Sequence, residues 1–261
     1  MGALVSGVRL AIRQLRYENL VFWRNPPAAF FTFFFPLIFL VIFNVVFGDD
    51  TIEVDGGVTK ASTFFVAGIA ALSVINGCFT GLAMGLAFLR DEGVLKRTRG
   101  TPLPAWAFLA GRIGFNAMLT VVLIVIVTAF GAVFYDVELP TTTLPAFLVT
   151  VAVGAATFAA LAFAITSFIP NAEAAPAVVN ATALPLLFIS DVFIRGDNAP
   201  GWLNAVSSFF PVSHLSEALQ VVFNPFETGA GFRPVDLLVM AVWGAFGLAV
   251  ALRRFSWEPR R

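Results

Sequence analysis

Six apolar runs almost bare of charge recur along this chain, at residues 28–47, 62–89, 106–134, 144–168, 174–193 and 235–252. Crossing the hydrocarbon core of a bilayer takes about 20 apolar residues as a helix, and only helices or closed barrels satisfy their backbone there. Runs this long and unalternating fit helices. Composition agrees, because 12% of the residues are charged and mean hydropathy is +0.88, whereas soluble domains carry about 25% charge. The expectation is an all-α integral membrane protein, one domain over 1–261, with six transmembrane helices. Run 62–89 exceeds what a bilayer needs, so it tilts or projects from it.

The segments between the runs set orientation. Residues 4–24 place Leu4, Val8, Ala11, Ile12 and Leu15 on one helical arc and Arg9, Arg13 and Arg16 on the next. That pattern is too long and too charged for a secretory n-region. It predicts an amphipathic helix in the headgroup region, closed by Trp23 and Arg24 and turned into the bilayer by Asn25-Pro26-Pro27. Arg9, Arg13, Arg16, Arg24, Arg90, Lys96, Arg97, Arg99, Arg112, Arg253, Arg254, Arg260 and Arg261 fall on one side of the six spans, thirteen of the sixteen basic residues. By the positive-inside rule that side is cytoplasmic, with both termini on it. Residues 195–233 are too polar to span; 202–210 and 212–223 read as short amphipathic helices, broken by Pro211 and Pro225, that dip into the outer leaflet.

Inside the spans the polar features are few. Gly77, Gly81 and Gly85 recur every four residues beside Asn76, a spacing for close helix packing, with a pathway lining as the alternative. Arg112 and Asn116 stand one turn apart within reach of the interface. Pro176 and Pro185 predict a kink in 174–193. His214 lies one turn from Glu217, reading as an interfacial contact, and neither it nor the lone Cys78 makes a metal site.

The densest charge is in the loop 90–104, Arg-Asp-Glu-Gly-Val-Leu-Lys-Arg-Thr-Arg-Gly-Thr-Pro-Leu-Pro. Asp91 to Arg97 reads as a short helix with acids first and bases last, stopped by Gly100 and by Pro102 and Pro104. On charge alone the simpler reading is a solvated loop that fixes orientation. Its wording, however, resembles the coupling helix of ABC-2 type permeases through Glu92, Gly93, Leu95, Lys96, Arg97, Arg99, Thr101 and Pro102, with Thr98 where leucine is commoner. A second stretch is similar to the same family: Pro185-Leu186-Leu187-Phe188-Ile189-Ser190, Pro200-Gly201-Trp202-Leu203, and Pro211 with Glu217-Ala218-Leu219. Asp191 and Ile194-Arg195-Gly196-Asp197 depart from its pattern.

The resemblance covers essentially the whole chain and is nearest the drug- and antibiotic-efflux branch, the daunorubicin-resistance-like membrane subunits. It implies a non-enzymatic permease subunit of an ATP-binding cassette exporter in the plasma (inner) membrane. ATP and Mg would sit on two ATPase subunits, and a second permease copy or a related permease would complete the pathway. Asp91, Glu92, Gly93, Leu95, Lys96, Arg97 and Arg99 would form the ATPase-coupling site, with Gly93 allowing close approach; Pro185, Trp202, Pro211 and Glu217 would shape the outer gate. The cargo implied is a hydrophobic drug, antibiotic or lipid; a polysaccharide or lipid-linked glycan is the alternative. No nucleic acid is expected as a partner.

The sequence also excludes chemistry. It has no Gly-x-x-x-x-Gly-Lys-Ser/Thr run, no Gly-x-Ser-x-Gly and no His-Glu-x-x-His. An ion-driven carrier needs a mid-membrane carboxylate, and Asp191 at the end of a span is the nearest candidate. A membrane partner that regulates an ATPase without transporting would share the charged loop.

Overall fold

A computed structural model describes residues 2–47, 50–190 and 201–258. The helices are α1 (Gly2–Trp23), α2 (Pro26–Phe47), α3 (Ala61–Ile75), α4 (Leu82–Asp91), α5 (Val94–Arg99), α6 (Ala105–Tyr135), α7 (Leu144–Thr166), α8 (Ala175–Ile189), α9 (Gly201–Ser207), α10 (Pro211–Val222) and α11 (Pro234–Arg254). A π turn, Asn76–Gly81, joins α3 to α4, so Ala61–Asp91 is one unbroken rod of 31 residues, about 46 Å at 1.5 Å per residue. That rod is the axis of the molecule. Every residue of α3 is buried, and α2, α6, α7 and α10 surround it while α11 lies on α7. The outer helices α2 and α11 turn rows of Phe, Val and Leu outward, such as Phe31, Val45, Leu238 and Leu252. In water such surfaces would aggregate; in lipid they are solvated.

Among the described residues, five helices are long and apolar enough to cross a membrane: α2, the α3–α4 rod, α6, α7 and α11. Their bounds match the expected spans within a few residues. The expected fifth span, 174–193, is the exception. α8 has only 15 residues and ends at Ser190 in an extended conformation (φ −95°, ψ 151°), giving roughly 22 Å of helix against a hydrocarbon core of about 30 Å. Residues 191–193, with Asp191, lie outside the described residues, as do Ile194-Arg195-Gly196-Asp197 and Pro200. Of the two prolines read as kinks, Pro176 sits in the first turn of α8 and only Pro185 is interior. A first-turn proline lacks an N–H that would be unbonded anyway.

The loop before α3 holds the one departure from all-helical structure among the described residues. Thr51–Val54 (β1) and Gly57–Lys60 (β2) form an antiparallel hairpin around Asp55-Gly56, with Gly56 at φ 95°. Alternation flanking an Asp-Gly pair is a hairpin signal, and the segment carries it. Asn224 Nδ2 donates to Asp55 O at 2.9 Å, Phe226 covers the turn, and Lys60 pairs with Asp136 at 3.1 Å. The hairpin thus ties α3, α6 and the segment after α10 together.

Candidate functional site

The charged segment is built differently from its sequence reading. The acids do not open the short helix; they close the long one. α4 runs through Asp91, Glu92 is its C-cap, and Gly93 takes a left-handed conformation at φ 72° before α5 begins at Val94. A residue with a Cβ is strained there, yet a Cβ on Gly93 would meet nothing within 4 Å. Within this chain Gly93 is therefore the joint of an elbow between α4 and α5, required for its backbone conformation rather than for packing against a neighbouring helix. Gly100, read as a stop, is the C-cap of α5 at φ −82°, and Pro104 is the N-cap of α6.

Two residues fix the elbow. Arg90 is 1% exposed; its guanidinium donates to Thr166 O at 2.8 Å and also to Ile169 O. Thr166 is the last residue of α7, where a helix leaves acceptors unmet and the dipole is negative, and Ile169 lies just beyond it in the α7–α8 turn. Asp91 then accepts from the backbone N–H of Ala172 at 3.1 Å, in the turn between α7 and α8. The first residue of the charged block, counted in the sequence as a topology marker, is a buried clamp.

Past the elbow, Leu95 is fully buried and pins α5. Glu92, Lys96 and Arg97 are exposed. Arg97 Nη2 reaches only Glu92 O at 3.3 Å, and Lys96 meets Glu258 at 3.9 Å with both side chains about two-thirds exposed, a contact worth little in solvent. The Arg99 side chain lies outside the described residues. The segment thus offers alternating charges on a short helix whose base is rigidly held.

The glycine stripe meets a polar stripe on α6. A Cβ on Gly85 would collide with the Arg112 guanidinium and one on Gly77 with Thr120 Oγ1, while one on Gly81 would sit 3.7 Å from Asn116 Oδ1. The three glycines are therefore a packing device between the rod and α6. Arg112 is not snorkelling alone. Its Nη1 donates to both carboxylate oxygens of Glu18 on α1, at 3.1 and 3.3 Å, and Gln14 Nε2 donates to the same carboxylate at 3.0 Å.

That pair changes the account of α1. The face turned to α6 is Gly7, Ala11, Gln14 and Glu18, with Gly7 under Trp106 and Gly111 at 2.6 Å from Gln14 Cβ for an added Cβ. Val8 and Ile12, on the same apolar arc as Ala11 and Leu15, are half exposed, as side chains of an interfacial helix turned to lipid would be. Arg9, Arg13 and Arg16 are exposed beside them, which keeps the interfacial character while docking the helix on the bundle. Trp23 is 56% exposed, stacks on Phe33 at 5.8 Å and donates to Asn19.

At the opposite end of the rod, α10 is held by a polar knot. His214 Nδ1 lies 2.7 Å from Asp236 Oδ1, and Nε2 donates to Ser208 O at 2.8 Å. The partner of His214 is thus Asp236 on α11 rather than Glu217. Arg233 donates from Nε to Asp236 Oδ2 at 2.8 Å and approaches Glu217 at 3.7 Å. The Asp236 hydrogen bond holds the Arg233 guanidinium above its ordinary pKa. His214, Glu217 and Asp236 lie within 4.8 Å of one another, but Arg233 already supplies the positive charge among these carboxylates. Of the other expected gate residues, Pro211 begins α10, Pro185 interrupts α8, and Trp202 on α9 is 68% exposed.

These features define an all-helical, multi-pass membrane protein with a jointed charged segment at one end. The model of the ABC-2 type transporter family matches residues 12–224, and the chain belongs to that family. It is 26% identical over 215 residues to the daunorubicin resistance ABC transporter permease protein DrrB1 of Streptomyces coeruleorubidus, covering 78% of this chain and 70% of that one. It is 25% identical over 194 residues to a protein carrying the name transport permease ycf38 in Cyanophora paradoxa, covering 72% of this chain and 65% of that one. A ycf38 protein of Porphyra purpurea is 21% identical over 227 residues, 87% of this chain and 76% of that one.

Proposed function

We propose that this chain is the membrane-spanning subunit of an ATP-driven exporter whose nucleotide is hydrolysed on separate ATPase subunits. The observation that carries the reading is the elbow: Arg90 and Asp91 fix its base to the α7–α8 turn while Glu92, Lys96 and Arg97 stay exposed on it. A partner that grips α5 would push on α4 and on the start of α8 together, because both are bonded to the same turn. Such a push can tip a packed bundle between two arrangements as a rigid-body motion.

The bias of basic residues toward the elbow, α1 and the tail supports a cytoplasmic side for them, by the positive-inside rule, in a plasma (inner) membrane. Two ATPase subunits and two permeases, this chain twice or with a related one, would form the unit. The named activity of the Streptomyces relative and the near absence of charge inside the spans favour a hydrophobic drug-like or lipid-like cargo. Gentle purification from the native membrane tests this. A co-purifying subunit with a P-loop is expected; a chain that emerges alone at every detergent strength contradicts the reading.

A further inference from the structure

The rod, α1, α2 and α6 enclose a cleft of about 520 Å³, within the range of roughly 300–1,000 Å³ typical of small-molecule sites. Its wall is of two kinds. Phe22, Phe31, Phe35 and Phe115 provide an aromatic side, and Asn76, Asn116, Ser73, Thr120 and the Glu18–Arg112 pair a polar one. The hydrogen-bond inventory of that polar side is incomplete. Asn116 spends its amide N–H on Arg112 O at 3.0 Å, leaving its carbonyl oxygen open, and the Asn76 side chain has no partner among the described residues. An asparagine in a membrane span without a partner is costly unless something reaches it. Asn76 also opens the π turn, an insertion that proteins retain mostly at functional sites.

From this geometry we infer that the cleft binds an uncharged amphiphile whose hydroxyl or amide head bonds Asn76 and Asn116 and whose apolar body lies on the four phenylalanines. The head must both donate and accept, since Asn76 offers both functions and Asn116 Oδ1 only accepts. It must be uncharged because the two ions lining the cleft, Glu18 and Arg112, already neutralise each other. A charged head would enter a low-dielectric site with no counter-ion. Arg112 lies about 10 Å and Thr120 about 22 Å along α6 from its start beside the charged segment, so the cleft reaches from that end of the bundle to the middle of the rod, where Asn76 stands. This site would give the proposed export its loading point, and it rests on that reading for its purpose though not for its existence.

The test is photolabelling of the full chain in phosphatidylcholine vesicles at pH 8.5, without ATP or ATPase. The probes are diazirine analogues of a monoacylglycerol, a fatty acid and an alkylamine with the same acyl length, with adducts mapped by mass spectrometry. The monoacylglycerol is expected to label the segment around Phe115, the buried ring of the cleft wall, about fivefold more than either charged probe, one hydrogen bond's worth of preference. All three should label the lipid-facing Phe246 and Leu252 equally. Asn76→Leu with Asn116→Leu should reduce cleft labelling by the monoacylglycerol to the level of the charged probes. Equal labelling of the cleft by all three probes in the native chain overturns the inference, whatever the variant does. Because no ATPase is present, that failure would leave the permease reading standing, and only the co-purification result bears on the latter.

Discussion

The two ends of the central rod use ionisable residues in opposite ways. At the knot around α10 the charged groups bond one another: His214 and Arg233 both converge on Asp236, and Arg233 extends to Glu217. At the elbow the charges divide. Arg90 and Asp91 are spent on the α7–α8 turn, while Glu92, Lys96 and Arg97 face outward with weak contacts. The difference separates charges that build the fold from charges available to a partner, and residue type alone does not make that separation. Asp91 and Glu92 are exposed neighbours, yet Asp91 holds the Ala172 N–H while the Glu92 side chain makes no bond among the described residues.

Removing an anchor should break the comparison most visibly. Arg90→Ala leaves Thr166 O and Ile169 O without their donor in a buried site and is expected to cost about 3 kcal/mol, read as a large fall in melting temperature in detergent. Asp236→Ala strips the acceptor shared by Arg233 and His214, and about 2 kcal/mol is expected, with protease sensitivity rising first between α10 and α11. Gly93→Ala should cost about 1 kcal/mol from backbone strain alone, since the space is open; a larger loss would mean that the elbow packs against something. Glu92→Ala, exposed and without a side-chain bond, should change stability by less than about 0.5 kcal/mol. A drop comparable to that of Arg90→Ala would erase the distinction between anchor and free charge.

Much of the fold was legible because bilayer physics leaves few choices. Long apolar runs without charge fixed four spans and the rod within a few residues, and the family motifs stand where the elbow and α10 are. What was not legible depended on partners distant in the chain. Arg90 and Arg112 look like ordinary interfacial arginines until α7 supplies two carbonyls to one and α1 supplies Glu18 to the other. The same applies to His214, whose nearest acid in sequence, Glu217, is not the one it bonds. The side by which α1 docks on α6 was not legible either, because it is decided by close approach at Gly7 and Gly111 and by the Glu18–Arg112 pair rather than by the apolar arc of Val8, Ile12 and Leu15. The boundary at Gly93 was missed for a local reason: acids before bases suggest one helix, but a glycine between them can divide two.

The most direct measurement compares native chain with the Glu92→Ala, Arg97→Ala double variant for capture of the P-loop ATPase, with melting temperature read on the same preparations. The account predicts that capture is lost while melting shifts by no more than a degree or two. Undiminished capture would contradict the assignment of the exposed charges to the partner. Capture lost together with a large fall in melting temperature would show that these charges hold the fold instead.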